Sequence, residues 1–253
     1  MPGFLFKQES IPIVGAAALT IRSLLDKQQY ADPDGEAAAL GISSASWPLF
    51  GLLWPSSLHL AEWMAKRALV PDESILEIGC GLGLASLVGH RRGSLVTASD
   101  CHPLAGAFML ENLRLNKLPP LRYCHGNWAT LEASPHFAGL PIQEQLEQPD
   151  QAMRRVPRVQ GRFDLIIGSD VLYERDEQGL LCSFIARHAM PASEVLIVDP
   201  NRGNRAAFSK RMAALGYLLK DVALKSAATE WAPSYNGRLL HYQRSHAAQV
   251  HRC

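Results

Sequence analysis

The stretch that most limits what this chain can fold into is Glu77-Ile78-Gly79-Cys80-Gly81-Leu82-Gly83. It joins an apolar run at 75–78 to a helical pattern over 84–92. Glycines at alternate positions let the backbone turn tightly and approach a ligand, in the crevice at the carboxyl ends of parallel strands. The pattern is ExGxGxG. A dinucleotide fingerprint, GxGxxG, would need a glycine at Leu84 or at Ser86, and neither position has one.

Around this turn the elements alternate. Residues 95–99, 121–124, 163–168 and 195–198 read as strands, and 104–116, 176–188 and 205–215 as helices. Upstream, Leu58, Ala61, Trp63, Met64 and Ala68 recur at near-helical spacing, with Ser56 or Ser57 as the cap. Two last strands, 217–224 and 238–243, have no helix between them and predict an antiparallel hairpin at one edge. The expected fold is α/β, a doubly wound, mostly parallel seven-stranded sheet. Residues 1–45 show no clear core pattern and read as an N-terminal arm with a short helix and a strand, leaving 46–253 as the domain. Within it, 132–160 carries Pro135, Pro141, Pro149 and Pro157 and reads as a long loop insertion, functional or disordered.

Composition narrows the class of function. The 253 residues are 47% hydrophobic, enough for a sizeable core, and the net charge is +1 with no basic run. That balance gives no support for a nucleic-acid partner. Five cysteines without a CxxC pair fit a reducing compartment. The start of the chain lacks a basic-then-apolar leader, and the longest apolar run, 11–21, is too short to span a bilayer. A cytoplasmic protein without membrane association is expected.

The glycine turn also selects a ligand. A pyrophosphate suits a helix N-terminus free of carboxylates. S-adenosylmethionine has no phosphate, but carries an ammonium and a sulfonium that a carboxylate such as Glu77 favours. The second strand ends in Asp100, placed to accept hydrogen bonds from ribose hydroxyls. The plainer alternative is a tight turn above a buried, paired Glu77.

Together these residues resemble the seven-β-strand, class I methyltransferases over about 46–243, with a Rossmann-like fold and S-adenosyl-L-methionine as cofactor, released as S-adenosyl-L-homocysteine. Four stretches narrow the resemblance to methyltransferase family 16, the protein-lysine methyltransferase-like branch. Gly51-Leu52-Leu53-Trp54-Pro55-Ser56-Ser57 carries a Trp-Pro pair, and the resemblance implies that Trp54 lies against the cofactor. Ser99-Asp100-Cys101-His102-Pro103, followed by Glu111-Asn112 and Leu115-Asn116, is similar to the branch that modifies the electron-transfer flavoprotein β-subunit. Gly126-Asn127-Trp128 stands where the family often has Asp-Trp meeting adenine; Asn127 departs from that pattern. Ser169-Asp170-Val171-Leu172-Tyr173 matches the family's Asp-x-x-Tyr/Phe motif, and Asp199-Pro200-Asn201-Arg202 is also similar to the flavoprotein-directed branch.

The resemblance thus implies Asp170 and Tyr173 as the catalytic pair. It implies Trp54, Glu77, Gly79, Cys80, Gly81, Gly83, Asp100, Cys101, Asn127, Trp128 and Ser169 as the cofactor set, with a protein as the substrate. Asp170 would accept a hydrogen bond from a lysine amine and Tyr173 would wall its channel; alternatively, Asp170 caps the next helix or pairs with Arg202. Asn-Pro-Pro-Tyr, common in adenine and glutamine methyltransferases, is absent. A small molecule or a histidine side chain remains open as acceptor, as does a non-catalytic cofactor-binding module. Cys80, Cys101-His102 and Cys124-His125 follow successive strands, but their spacing matches no zinc finger or ribbon, and no metal site is expected. His241, His246 and His251 read as a solvated tail.

Overall fold

The alternation predicts a sheet wrapped by helices, and the computed structural model shows one; it describes residues 3–128, 156–173, 175–228 and 234–245. Among these, an antiparallel hairpin, β1 (Phe6–Ile13) and β2 (Ala16–Leu24), comes first. A four-residue helix α1 (Glu36–Ala39), a 3-10 turn (Trp47–Gly51) and helix α2 (Pro55–Lys66) follow. Then come β3 (Ser74–Ile78), α3 (Leu84–Arg91), β4 (Leu95–Asp100), α4 (Ala105–Leu115), β5 (Arg122–His125) and β6 (Phe163–Ser169). The chain continues through α5 (Leu180–His188), β7 (Ala189–Asp199), α6 (Arg205–Ala214), β8 (Leu218–Ser226) and β9 (Tyr235–Arg244).

Seven strands form one sheet in the order β5-β4-β3-β6-β7-β9-β8. β5 through β7 run parallel, and β9 pairs antiparallel with both β7 and β8. The final hairpin is therefore there, with its second strand inside the sheet and β8 at the edge. Period-two alternation sorts the central strands between two cores. Ile75, Leu165, Ile167 and Val198 face α2, α3 and α4, whereas Leu76, Ile166 and Ile197 face α5 and α6. The order reverses at β3/β6, the switch point where open α/β sheets bind ligands.

Two expectations need correcting. Helix α2 is not capped by Ser56 or Ser57. Trp54 is its extended N-cap and Pro55 opens the first turn, where a missing N–H costs nothing. Ser57 Oγ donates to the Trp54 carbonyl at 2.7 Å, and Ser56 is buried against Tyr235. The arm holds two strands rather than one, and it packs into the main core through Ile11, Ile13, Leu19, Ile21 and Leu24. Its β2 edge is closed by a helix. Asn112 on α4 and Asn116 at its C-cap, one turn apart, present amides to the strand as a neighbouring strand would. Asn116 Oδ1 accepts from Thr20 N at 2.9 Å while its Nδ2 donates to Thr20 O at 2.7 Å, and Asn112 Oδ1 accepts from Arg22 N at 2.7 Å. Of the expected 132–160 insertion, residues 132–155 lie outside the described residues. Its end returns beside β5, where His125 N donates to Pro157 O at 2.8 Å and Val159 N to His125 O at 3.1 Å.

Candidate active site

The turns after β3, β4, β5, β6 and β7 meet around a cavity of about 480 Å³, within the range of small-molecule sites. Gly79, Gly81 and Gly83 form its floor with φ of 57°, 51° and 69°. Space requires glycine as well as conformation does. A Cβ on Gly81 would lie 2.8 Å from the Phe50 carbonyl oxygen, and one on Gly79 would lie 3.0 Å from Val171 and 3.6 Å from the Trp128 ring.

Asp100 ends β4 beside this floor. Oδ2 accepts from Gly81 N and Oδ1 from His102 N, each at 2.9 Å. Each oxygen keeps a lone pair for a further donor. Burial raises the Asp100 carboxyl, opposed by these backbone N–H groups. Glu77 occupies a different place. It is buried and does not line the cavity; its Oε2 accepts from both the backbone N–H, at 2.9 Å, and the hydroxyl of Ser86 on α3. Burial pushes its carboxyl up to about 7 against the pull of Ser86, with Asp100 adding to the rise. In this structure Glu77 is the buried, paired carboxyl of a tight turn, which ties β3 to the first turns of α3.

Trp54, Cys80, Cys101, Asn127, Trp128, Ser169, Asp170 and Tyr173 all line the same cavity. Trp54 is oriented by Nε1, which donates to Leu49 O at 2.9 Å. Cys80 donates weakly to Gly81 O at 3.8 Å, and burial, helped by Asp100 and Glu77, keeps its thiol protonated. Cys124 and His125 are not on the wall, and among the described residues no cluster of three His, Cys, Asp or Glu could hold a metal.

Asp170 sits on a strained turn. It follows β6 with φ 57°, a left-handed conformation that costs about 1–2 kcal/mol without glycine. Its N–H donates to Val198 O at 3.0 Å, which fixes the turn to the end of β7. Arg202 pairs with its Oδ1 at 3.0 Å and also donates to its carbonyl at 3.3 Å. The alternative partner read from the sequence is therefore present. Oδ2 is buried beside the Ser56 hydroxyl, which meets Tyr235 Oη at 2.9 Å and leaves Oδ2 without a hydrogen bond of good geometry; Asp199 Oδ2 is also buried without a partner among the described residues. Burial raises the Asp170 carboxyl; the Ser56 hydroxyl and Arg202 pull it down, and Asp199 adds to the rise. Tyr173 is 47% exposed at the mouth, between this cavity and a second one of about 400 Å³ under Leu180 and Phe208.

The sequence reading missed the wall built by the arm and the 3-10 turn. Ile42, Leu49 and Phe50 line the cavity, and His102 stacks on Phe50 with centroids 3.7 Å apart. His102 Nδ1 accepts from Leu104 N at 3.1 Å, and burial pushes the imidazole down to about 3 against the pull of Asp32, so it is neutral. The Trp47-Pro48-Leu49-Phe50 cluster was the available signal.

Comparisons with known proteins agree with this geometry. No family model matches the sequence. The chain is 27% identical over 158 residues to the electron transfer flavoprotein beta subunit lysine methyltransferase of Xenopus laevis, covering 61% of this chain and 53% of that protein. It is 30% identical over 124 residues to the protein-lysine methyltransferase METTL21E of Mus musculus, 48% of this chain and 44% of that one. It is 26% identical over 129 residues to the histone-arginine methyltransferase METTL23 of Rattus norvegicus, 49% and 47% of the two chains. The chain spans about half the length of the curated relatives it matches. Among solved structures, magnesium protoporphyrin IX methyltransferase from Synechocystis superimposes with a TM-score of 0.54 at 16% identity, over 85% of this chain and 100% of that one. A SAM-dependent methyltransferase from Agrobacterium tumefaciens gives 0.55 at 12% identity, over 94% and 70%. The fold is that of the class I methyltransferases, and the sequence is similar to the protein methyltransferases of family 16.

Proposed function

We propose that this chain is an S-adenosylmethionine-dependent methyltransferase that modifies a lysine side chain of a protein. The observation that carries the reading is the placement of Asp170. A carboxylate carried on a left-handed turn and gripped by Arg202 lines the cavity that the glycine turn and Asp100 also line. The cavity fits the cofactor: Gly79 and Gly81 leave the room a Cβ would fill, Asp100 offers acceptors for ribose hydroxyls, and Trp54 and Trp128 offer aromatic surface. When bound, the cofactor supplies an electrophilic methyl group.

The chain's own residues do the rest. A lysine amine, ordinarily protonated below about pH 10.4, must arrive neutral to act as a nucleophile. Desolvation in the cavity favours the neutral form. The Asp170 carboxylate accepts an N–H of that amine and turns its lone pair inward, the positioning on which a displacement depends. Tyr173, at the mouth, walls the aliphatic stem. The protein-methylating relatives support a protein acceptor, and the cysteine usage supports a reducing compartment. Among the described residues, no helix is long and apolar enough to cross a membrane.

The test is transfer of tritiated methyl from S-adenosylmethionine into a lysate of the source cells, resolved by size, with wild type beside Asp170→Asn. A discrete protein band that is lost with the variant is the expected result. Label confined to the small-molecule fraction overturns the protein acceptor. Cofactor binding without label in any fraction overturns catalysis.

A further inference from the structure

Asp170 does not stand alone at the end of β6. Three groups from two neighbouring strand ends are locked together there. Arg202 N donates to Asp199 Oδ1 at 2.7 Å, so the buried Asp199 fixes the Arg202 backbone. The Arg202 guanidinium then grips Asp170 twice, by Nη2 to Oδ1 at 3.0 Å and by Nη1 to the carbonyl at 3.3 Å. A planar guanidinium suits such a two-point grip, and an ammonium does not. One contact holds the carboxylate, and the other holds the left-handed peptide that carries it. We propose that Arg202 is the positioning residue of methyl transfer: through Oδ1 and the main-chain carbonyl it fixes the Asp170 carboxylate at the wall of the cavity, where the acceptor amine arrives. The proposal rests on the reading of Asp170 given above.

The grip has an electrostatic side. The groups facing Asp170 are Arg202 and Asp199 from the end of β7 and its following turn, Ser56 from α2 and Tyr235 from β9. Arg202 is the cation among them. Burial and Asp199 both favour the protonated acid, a weaker acceptor than the carboxylate; Arg202 and Ser56 oppose them. Removing the guanidinium loses the orientation and protonates the acceptor at higher pH.

The experiment follows Asp170 directly, by NMR titration of the protein labelled with carbon-13 at the aspartate side-chain carboxyl carbon. Its resonance is assigned by its loss in Asp170→Asn. In Arg202→Met it titrates at least about one pH unit higher than in wild type, equivalent to tenfold in proton affinity. Arg202→Lys recovers part of the shift, and Asp199→Asn, which removes the like charge, moves the titration down. In the methyl-label assay with the same lysate band, Arg202→Met loses roughly tenfold of its initial rate. S-adenosylhomocysteine binding stays within about threefold of wild type, a difference of less than 1 kcal/mol. An unchanged Asp170 titration in Arg202→Met overturns the positioning role alone. Full label uptake by Asp170→Asn overturns the underlying reading of Asp170 instead, whatever the titration shows.

Discussion

The two halves of the cavity solve the same problem in opposite ways. On the β3–β4 side, carboxylates are satisfied from within: Asp100 accepts from Gly81 and His102, and Glu77 from Ser86. Positive φ there falls on glycines, which adopt it without strain. On the β6–β7 side, Asp170 and Asp199 each keep a buried oxygen without a partner among the described residues, and positive φ falls on Asp170 and Asn201. The β3–β4 half, whose carboxylates are met and whose unpartnered buried atom is the neutral His102 Nε2, is a preformed seat. The other half holds its acceptor carboxylate in place through Arg202, on backbone that glycine does not relieve.

The contrast can be broken from either side. The largest effect is expected from Asp170→Asn, which keeps the shape of the strained half and removes its charge. Transfer should fall roughly 10²–10⁴-fold, the usual worth of a positioned proton acceptor, while calorimetry finds cofactor affinity within about threefold. Parallel losses in both would erase the division between the halves. Next comes Gly81→Ala in the satisfied half. Its Cβ would sit 2.8 Å from the Phe50 carbonyl at φ 51°. Overpacking and left-handed strain together cost on the order of 2–5 kcal/mol, read as weaker cofactor binding by titration calorimetry.

Glu77→Gln sharpens the comparison through pH. The wild-type carboxyl is raised to about 7, so the folded form holds a proton that the unfolded chain releases near 4.5. The stability this confers is full below 4.5 and is lost as pH rises through 7, to an upper limit of about 3 kcal/mol. Urea midpoints at pH 5 and pH 8 should differ more for wild type than for the variant; equal differences would show that Glu77 does not titrate in that window. The smallest effect is expected from Asn112→Ala. It strips the partner from Arg22 N–H and costs roughly 1–3 kcal/mol in thermal or urea unfolding.

Legibility in the sequence followed the same division. The β3–β4 half is local: a short apolar strand, alternate glycines and an acid ending the next strand lie close in the chain, and their spacing carries the geometry. The sheet was legible for the same reason, since each buried strand is a short apolar run between turns. The placement of Glu77 was not, because its partner Ser86 is a generic serine whose burial depends on how α3 packs. Nor was the arm. β1 is mostly exposed and β2 buries little more than alternate positions, so Ile11 to Ile21 looked like one apolar run instead of two strands around Gly15. The Asp170–Arg202 pair was visible only as one option, since two turns from separate strands must meet to form it.

The asparagine clamp on β2 has a consequence for the order of assembly. Thr20 and Asn116 are 96 positions apart, and Ser56 and Tyr235 are 179 apart. The arm leaves the ribosome well before the helix that closes its edge. The clamp is therefore a non-local contact, and the entropy of closing the intervening chain is spent before the amides can stabilise the β2 edge.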